Sequence, residues 1–257
     1  MIGEYFRPKT VEEALLLLTE KGKIRKPLGG GTSLSRQVSR HFDVVDLQNV
    51  GLDRIEESGQ NLVAGSTLRF DLLLAHPGVH PEIKRAIRID ASENNRNMAT
   101  LGGWMVNSDG RSLTTTALLA MDANLTWEPE AVQIRLGDWL PLRSQNQPGV
   151  LMTEVAWTTG ARLVFEYVAR SPKDRPTMIV AMAQWGSGRT RVALGGFGDA
   201  PIIAVDGIGA DGVDIASRYA CLEAGDQWAS AEYRREVAAK LALRCAARVD
   251  AIKGSGA

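Results

Sequence analysis

Two short glycine-rich segments carry the residues best suited to hold a ligand: Leu28–Gly29–Gly30–Gly31–Thr32–Ser33–Leu34 and Ala99–Thr100–Leu101–Gly102–Gly103. Each joins adjacent glycines to hydroxyl residues, and each is expected where an extended segment gives way to a loop. Glycine lets the backbone approach a ligand closely and adopt positive φ without steric cost. Successive N–H groups in such a loop form a concave anion site. Either segment alone reads as a turn. Converging, the two would grip a diphosphate from both sides, as a bound dinucleotide requires.

Other chemistries find less support. His76 and His80 have the spacing of a helical metal pair, but Pro77 and Gly78 break the helix between them. His41, beside Phe42, reads as a surface or packing residue. Trp185–Gly186–Ser187–Gly188 lacks the Gly-x-Ser-x-Gly order of a nucleophile elbow and reads as a hairpin turn. The glycine segments match neither Gly-x-Gly-x-x-Gly nor a Gly-Lys-Ser/Thr phosphate loop. Cys221 and Cys245 are the only cysteines, too few for an iron–sulfur cluster, and read as buried thiols on helices. No catalytic residue and no metal site is assigned.

The elements that would position the loops follow from local signals. Thr10 and Glu13 form a capping-box pattern before an apolar run, and Gly22 stops that helix. Ile24 to Leu28 is a strand feeding the first glycine loop, and strands are expected at residues 44–47 and 61–65. Ser66 or Thr67 is placed to cap a helix through Leu72–Leu74, and Pro81 opens another. The polar stretch Ser92–Asn97 leads into the second loop, and residues 115–121 are helical. Strands follow near 125–127, 132–136, 155–157, 163–165, 178–182 and 190–194. After Gly195–Gly196 the chain is expected to be helical, over 212–224 and 230–252. Gly254–Ala257 reads as a flexible tail. With 257 residues, 44% hydrophobic and 23% charged, the composition is that of an ordinary globular protein. Thirty basic and thirty acidic residues leave no net charge to attract nucleic acid. The basic runs Lys23–Lys26 and Arg234–Arg235 read as solvated faces. No run reaches the ~18 apolar residues of a membrane helix, no secretory signal is apparent at Met1–Phe6, and a cytoplasmic location is expected.

In order and spacing, these segments resemble the flavin-binding medium subunits of the molybdenum hydroxylases, the family that includes the FAD domains of xanthine and carbon monoxide dehydrogenases. The likeness opens with Tyr5–Phe6–Arg7–Pro8 and Thr10–Val11–Glu12–Glu13–Ala14. Gly29–Leu34 resembles the family's Ala-Gly-Gly-Thr-Ser-Leu loop, and Arg96–Gly103 its Arg-Asn-x-x-Thr-Ile-Gly-Gly loop. Ala117–Ala123, Leu151–Val155, Val192–Gly196 and Ser230–Arg235 continue the likeness toward the C-terminus. The resemblance implies an α+β fold. A two-lobed FAD-binding domain of the vanillyl-alcohol-oxidase (PCMH) type would span residues 1–160, its lobes dividing near 50–60. Residues 161–257 would form a small antiparallel sheet plus helices, like the C-terminal domain of the carbon monoxide dehydrogenase flavoprotein. FAD would be held by Gly29, Gly30, Gly31, Thr32, Ser33, Leu34, Thr100, Leu101, Gly102, Gly103, Trp104 and Asp109. Gly30, Gly31, Gly102 and Gly103 would supply backbone donors, and Thr32, Ser33 and Thr100 hydroxyls.

The resemblance also implies partners: an iron–sulfur small subunit and a molybdopterin-containing large subunit. FAD would pass electrons from the clusters to an external acceptor. Three positions depart from the pattern. Trp104 stands where Asn is common, Leu113 where an acidic residue is usual, and Val168 near the place of a lysine. Losing the carboxylate at 113 removes an acceptor for a ring N–H or ribose hydroxyl, worth about 0.5–1.5 kcal/mol. The alternative reading is therefore a structural or assembly subunit of the same kind of complex that holds FAD weakly or not at all. A stand-alone flavin oxidase is a third reading, without a well-placed base among the histidines.

Overall fold

The computed structural model describes residues 2–34, 41–145 and 147–254. Residues 255–257 of the expected tail lie outside these, and Gly254 closes the last helix. Strands β1 (Ile2–Phe6), β2 (Arg25–Leu28) and β3 (Phe42–Asp46) form a parallel sheet in the order β1-β3-β2. Helix α1 (Val11–Leu18) connects the first two strands. Thr10 Oγ1 accepts the Glu13 amide at 3.2 Å, while the Glu13 carboxylate takes the Lys9 amide rather than that of Thr10. Ala14 of α1 packs with Val45, Leu47, Val50 and Leu151 in a small core.

An antiparallel sheet of five strands follows: β4 (Ile55–Ser58), β5 (Asn61–Gly65), β6 (Asn124–Glu128), β7 (Val132–Arg135) and β8 (Leu151–Thr158), ordered β4-β5-β8-β6-β7. Between β5 and β6 lie five helices: α2 (Phe70–Ala75), α3 (Pro81–Asp90), α4 (Glu93–Met98), α5 (Leu101–Asn107) and α6 (Leu113–Ala120). After the short helix α7 (Leu136–Trp139) and strand β8, the chain enters a four-stranded antiparallel sheet. Its strands are β9 (Arg162–Val168), β10 (Met178–Gln184), β11 (Arg189–Gly195) and β12 (Ile202–Ile208), backed by α8 (Val213–Ala220) and α9 (Ala231–Gly254).

The burial of β10 shows how the layers join. All seven of its residues are buried. Side chains alternate across a strand, so Ile179, Ala181 and Ala183 enter the core that contains Ala117–Ala120 of α6. Met178, Val180 and Met182 face the core of Val213, Ala238, Leu241 and Cys245. Helix α6 is buried at every residue, as expected of a helix with apolar neighbours on all sides.

The structure corrects several expectations. The second glycine segment does not follow an extended run. It joins two helices, because Ser92 caps α4 by accepting the Asn95 amide, and only Ala99 and Thr100 are extended before α5. Neither Ser66 nor Thr67 caps α2, whose cap position is Arg69. The segment after Gly196 includes β12, an edge strand with a glycine inside it and Ile208 exposed. Neither basic run is a solvated face throughout. Arg234 is fully buried, donating to the Thr177 and Gly196 carbonyls and to the Asp226 carboxylate. The Arg25 side chain is also buried and pairs with Glu20. A guanidinium's five donors let carbonyls and a carboxylate compensate such burial.

His76 and His80 serve the backbone. His76 Nδ1 accepts the Gly78 amide at 3.2 Å, and His80 Nδ1 accepts the Glu82 amide at 3.1 Å at the start of α3. Burial pushes the His80 imidazole below its usual value, with the Glu82 carboxylate pulling the other way. As pH falls below the ordinary histidine value near 6.5, the unfolded chain takes up a proton that the folded chain does not. Stability at His80 is therefore full above that value and declines with acid. Chemical denaturation between pH 7.5 and 5.5 should show a steeper acid loss in the native protein than in His80→Asn, which keeps a capping acceptor but does not titrate. Both cysteines are buried, and desolvation raises Cys221 to about 11 and Cys245 to about 12. Neither thiol should be alkylated at pH 8 until denaturant is added, as mass spectrometry of the labelled chain would show.

Candidate functional site

The two glycine segments meet. Gly30 lies so close to α4 that a Cβ there would overlap the Met98 carbonyl. A Cβ at Gly102 would come within 2.6 Å of Ser66 Cβ. Thr100 sits between the segments, and its Oγ1 occupies the space that Cβ atoms at Gly29 and Gly103 would need. The first loop is also tied across to α5, where Ser33 Oγ donates to Asn107 Oδ1 at 3.0 Å. Asn107 Nδ2 in turn donates to the Gly103 carbonyl at 2.8 Å.

Three adjoining cavities follow this junction. An amide-rich end cavity of about 400 Å³ is lined by Gln48, Asn49, Asn97, Gly29, Gly30 and Thr100. A central cavity of about 200 Å³ shares Gly29, Thr67 and Thr100 with it and adds Ser66, Gly102 and Gly103. A carboxylate-lined end cavity of about 400 Å³ shares Gly103 and Asn107 with the central one. There Thr32, Ser33, Asp90, Trp104 and Asp109 face residues 172–176 from the loop between β9 and β10. The groove is elongated and runs from the parallel sheet to the C-terminal sheet.

Ser66 Oγ and Thr67 Oγ1 are buried and have no hydrogen-bond partner, yet both line the central cavity. Their amides are engaged by the Thr153 and Leu52 carbonyls, at 2.8 and 2.9 Å. A buried hydroxyl left without a partner costs about 1–3 kcal/mol. These two are positioned to bond oxygen-rich groups in the cavity. A phosphate- and hydroxyl-bearing dinucleotide fits this neutral donor set and the glycine-walled cradle around Thr100.

Comparison with known proteins agrees with that chemistry. A family described as the FAD binding domain in molybdopterin dehydrogenase matches residues 1–156. The chain belongs to this family of FAD-binding domains. The carbon monoxide dehydrogenase medium chain of Hydrogenophaga pseudoflava is 27% identical over 210 residues, covering 74% of this chain and 73% of that one. The glyceraldehyde dehydrogenase medium chain of Sulfolobus acidocaldarius is 27% identical over 270 residues, covering 93% and 95%. In fold, quinoline 2-oxidoreductase from Pseudomonas putida 86 superposes with a TM-score of 0.81 at 19% identity, over 97% of each chain.

Within this FAD-binding domain the expected residues separate into groups. Gly29, Gly30, Thr32, Ser33, Thr100, Gly102, Gly103, Trp104 and Asp109 line the groove. Gly31, at φ 70°, turns the first loop, and Leu34 follows it; neither lines the cavities. Leu101 is fully buried in the core. The Leu101 and Gly102 amides donate to the Leu68 and Ser66 carbonyls at 2.9 and 2.8 Å. Gly102 therefore contributes close packing rather than the free donor expected of it. Trp104 is held by Phe70 at 5.1 Å between ring centroids and by donation from Nε1 to Ser112 Oγ at 2.9 Å.

At the carboxylate-lined end, burial pushes the Asp109 carboxyl up, but Arg175 and the Arg111 amide outweigh it and hold it below the usual carboxylate range. Arg175 approaches with both guanidinium nitrogens, Nη1 at 2.7 Å from Oδ2. Asp90 moves the opposite way. Burial raises it, against bonds from the Thr114 and Leu113 amides and the Ser112 hydroxyl. Ser66, Thr67, Asp90 and Asn107 were missed as groove residues by sequence reasoning. Ser66–Thr67 offered one signal, a hydroxyl pair directly after an apolar strand, whereas Asp90 is brought to the groove only by the packing of α3 on α6.

Gly30→Ala should destabilise the protein by about 1–3 kcal/mol, because the obstructing atom is backbone and cannot rotate away. FAD binding should weaken with it. Gly160→Ala, with nothing within 4 Å of the added carbon, should stay within about 0.5 kcal/mol of the native protein. Chemical denaturation and flavin-fluorescence titration would check both.

Proposed function

We propose that this chain is the FAD-binding electron-transfer subunit of a multi-subunit molybdenum hydroxylase. It would work beside an iron–sulfur subunit and a molybdopterin-containing subunit. The observation that carries the reading is the groove at the glycine junction, with two buried hydroxyls unpartnered in it, in a chain of the FAD-binding family. When bound, FAD supplies exchange of electrons between a cluster donor and an external acceptor such as NAD⁺ or a quinone. The chain's own part is to bind and orient. Gly29, Gly30 and Gly103 keep the groove wall free of Cβ atoms. Ser66, Thr67, Thr32 and Thr100 offer hydroxyls, and residues 172–176 cover the end nearest the C-terminal sheet. Both thiols of this stretch are buried, so the clusters would reside on a partner chain. Residues 1–160 would form the cofactor domain and 161–257 the module that closes it.

A second reading, a structural or assembly subunit with little or no FAD, is favoured by Leu113, whose side chain lies in the core rather than in the groove. Titrating FAD into the purified chain separates the two. Saturable binding with quenched flavin fluorescence supports the electron-transfer subunit, and absence of binding supports the scaffold. The Ser66→Ala/Thr67→Val double variant gives a sharper test. Because it removes unpartnered buried hydroxyls, its thermal midpoint without FAD should equal or exceed that of the native protein. Its FAD affinity should fall about 2- to 10-fold per hydroxyl.

A further inference from the structure

The carboxylate-lined end cavity contains three acidic side chains, Asp90, Asp109 and Asp174. Asp109 is engaged by Arg175. Asp174 lies 3.7 Å from the Arg170 guanidinium. Asp90 has no ion-pair partner among the described residues. Its hydrogen-bond donors are neutral groups at the start of α6, and the Arg175 guanidinium acts on it through space. Oδ1 accepts the Leu113 amide at 3.0 Å, and Oδ2 accepts the Thr114 amide and the Ser112 hydroxyl, each at 2.8 Å. A carboxylate offers about four acceptor positions; the Thr114 side chain also lies close enough to favour its charged form, and the carboxylate of Asp90 lines the cavity.

The surroundings hold this carboxylate in place. Ser112 donates to Asp90 and receives the indole N–H of Trp104 and the Thr115 amide, the latter at 3.1 Å. Trp104 lies directly after Gly103, in the first turn of α5. The second glycine segment, Trp104, Ser112 and Asp90 thus form one connected wall of the cavity. The carboxylate expected at position 113 is absent, since Leu113 packs in the core, but its backbone amide carries the carboxylate of α3 instead.

We propose that Asp90 is a cofactor-binding residue of this site, accepting a hydrogen bond from a hydroxyl or ring N–H of the bound flavin nucleotide. This rests on the FAD-binding reading above. A carboxylate in a cavity, without an ion-pair partner in direct contact, selects a ligand group that donates; Arg175, which lines the same cavity and acts on Asp90 through space, is itself held by Asp109. The diphosphate therefore belongs at the glycine junction and the donor-bearing part of the cofactor at the Asp90 end.

The test uses the full chain, with FAD titrated into the native protein, Asp90→Asn and Asp90→Glu. Flavin fluorescence gives the affinity and the thermal midpoint is read with and without FAD. Asp90→Asn should bind FAD about 10-fold more weakly or worse, as expected for losing a hydrogen bond to a charged acceptor, and FAD should raise its midpoint less. If Asp90 only caps α6, the midpoint without FAD falls but affinity stays within twofold of native, and the proposal is overturned. Should Asp90→Asn not fold, Asp90→Glu retains the charge at the α6 amides while displacing the oxygens by a methylene. A several-fold change in its affinity supports the proposal, and native affinity overturns it. If the native chain binds no FAD, the FAD reading itself fails and Asp90 falls with it; native binding with an indifferent Asp90 sinks the assignment alone.

Discussion

The groove depends on one close approach, the backbone of Gly30 against the Met98 carbonyl. No side chain fits between Gly30 and the Met98 carbonyl, so the separation at that point is set by main-chain contact rather than by adjustable packing. That contact brings the end of β2 to the joint between α4 and α5. Gly102 against Ser66 repeats the close approach at the end of β5. Three segments from different parts of the sequence therefore share one small volume, and the cavities are what remains around it. In this family member the glycines serve first to let protein meet protein, and through that to shape the space for a cofactor.

The second constraint is the burial of α6. A helix enclosed on every face cannot shift without disturbing α3 and the four-stranded sheet it packs against. Its N-terminus projects from that core into the carboxylate-lined cavity, where Ser112 caps it and Asp90 binds its amides. The same helix that packs on the four-stranded sheet thus fixes the position of the groove's far wall. Charge reinforces the junction farther along. Asp122, just after α6, accepts from Arg189 at 2.8 Å and Arg191 at 2.6 Å on β11. Truncating Asp122 would leave the buried Arg191 guanidinium short of a partner, the costly way to break such a pair.

The electrostatics of the groove are modest, which suits the balanced composition. Its central part presents hydroxyls and amides, and charged side chains line only the two ends, Arg69 and Asp53 at one and residues 173–175 with Asp90 and Asp109 at the other. A diphosphate held by neutral donors needs preorganised geometry more than net charge, and the main-chain contacts provide it. The departures at Trp104 and Leu113 look unrelated in the sequence. In three dimensions Trp104 and the Leu113 amide converge, through Ser112 and directly, on Asp90. A changed side chain on one helix is answered by a carboxylate from another.

The sequence by itself determined the local features whose physics is local. Thr10 caps α1, residues 185–188 make the hairpin turn, and Cys221 and Cys245 are buried; Gly22 does not stop α1, which ends at Leu18 with Thr19 as its cap, but closes a separate turn at φ 80°. The sequence also marked the two glycine segments and, through the resemblance, the FAD-binding family. Only the tertiary structure decided which atoms those segments spend on each other. Gly102's amide went to Ser66 and Ser33's hydroxyl to Asn107, while Ser66 and Thr67, legible only as caps, were left facing the groove. Arg234 was unreadable as a core residue, because the carbonyls that compensate its charge come from elements far away in the chain. Asp90 was silent for the same reason: a carboxylate at the end of one helix acquires a role only when the start of another is packed against it. Hydrogen-bond partners between distant segments are set by packing, and packing is not written in local residue spacing.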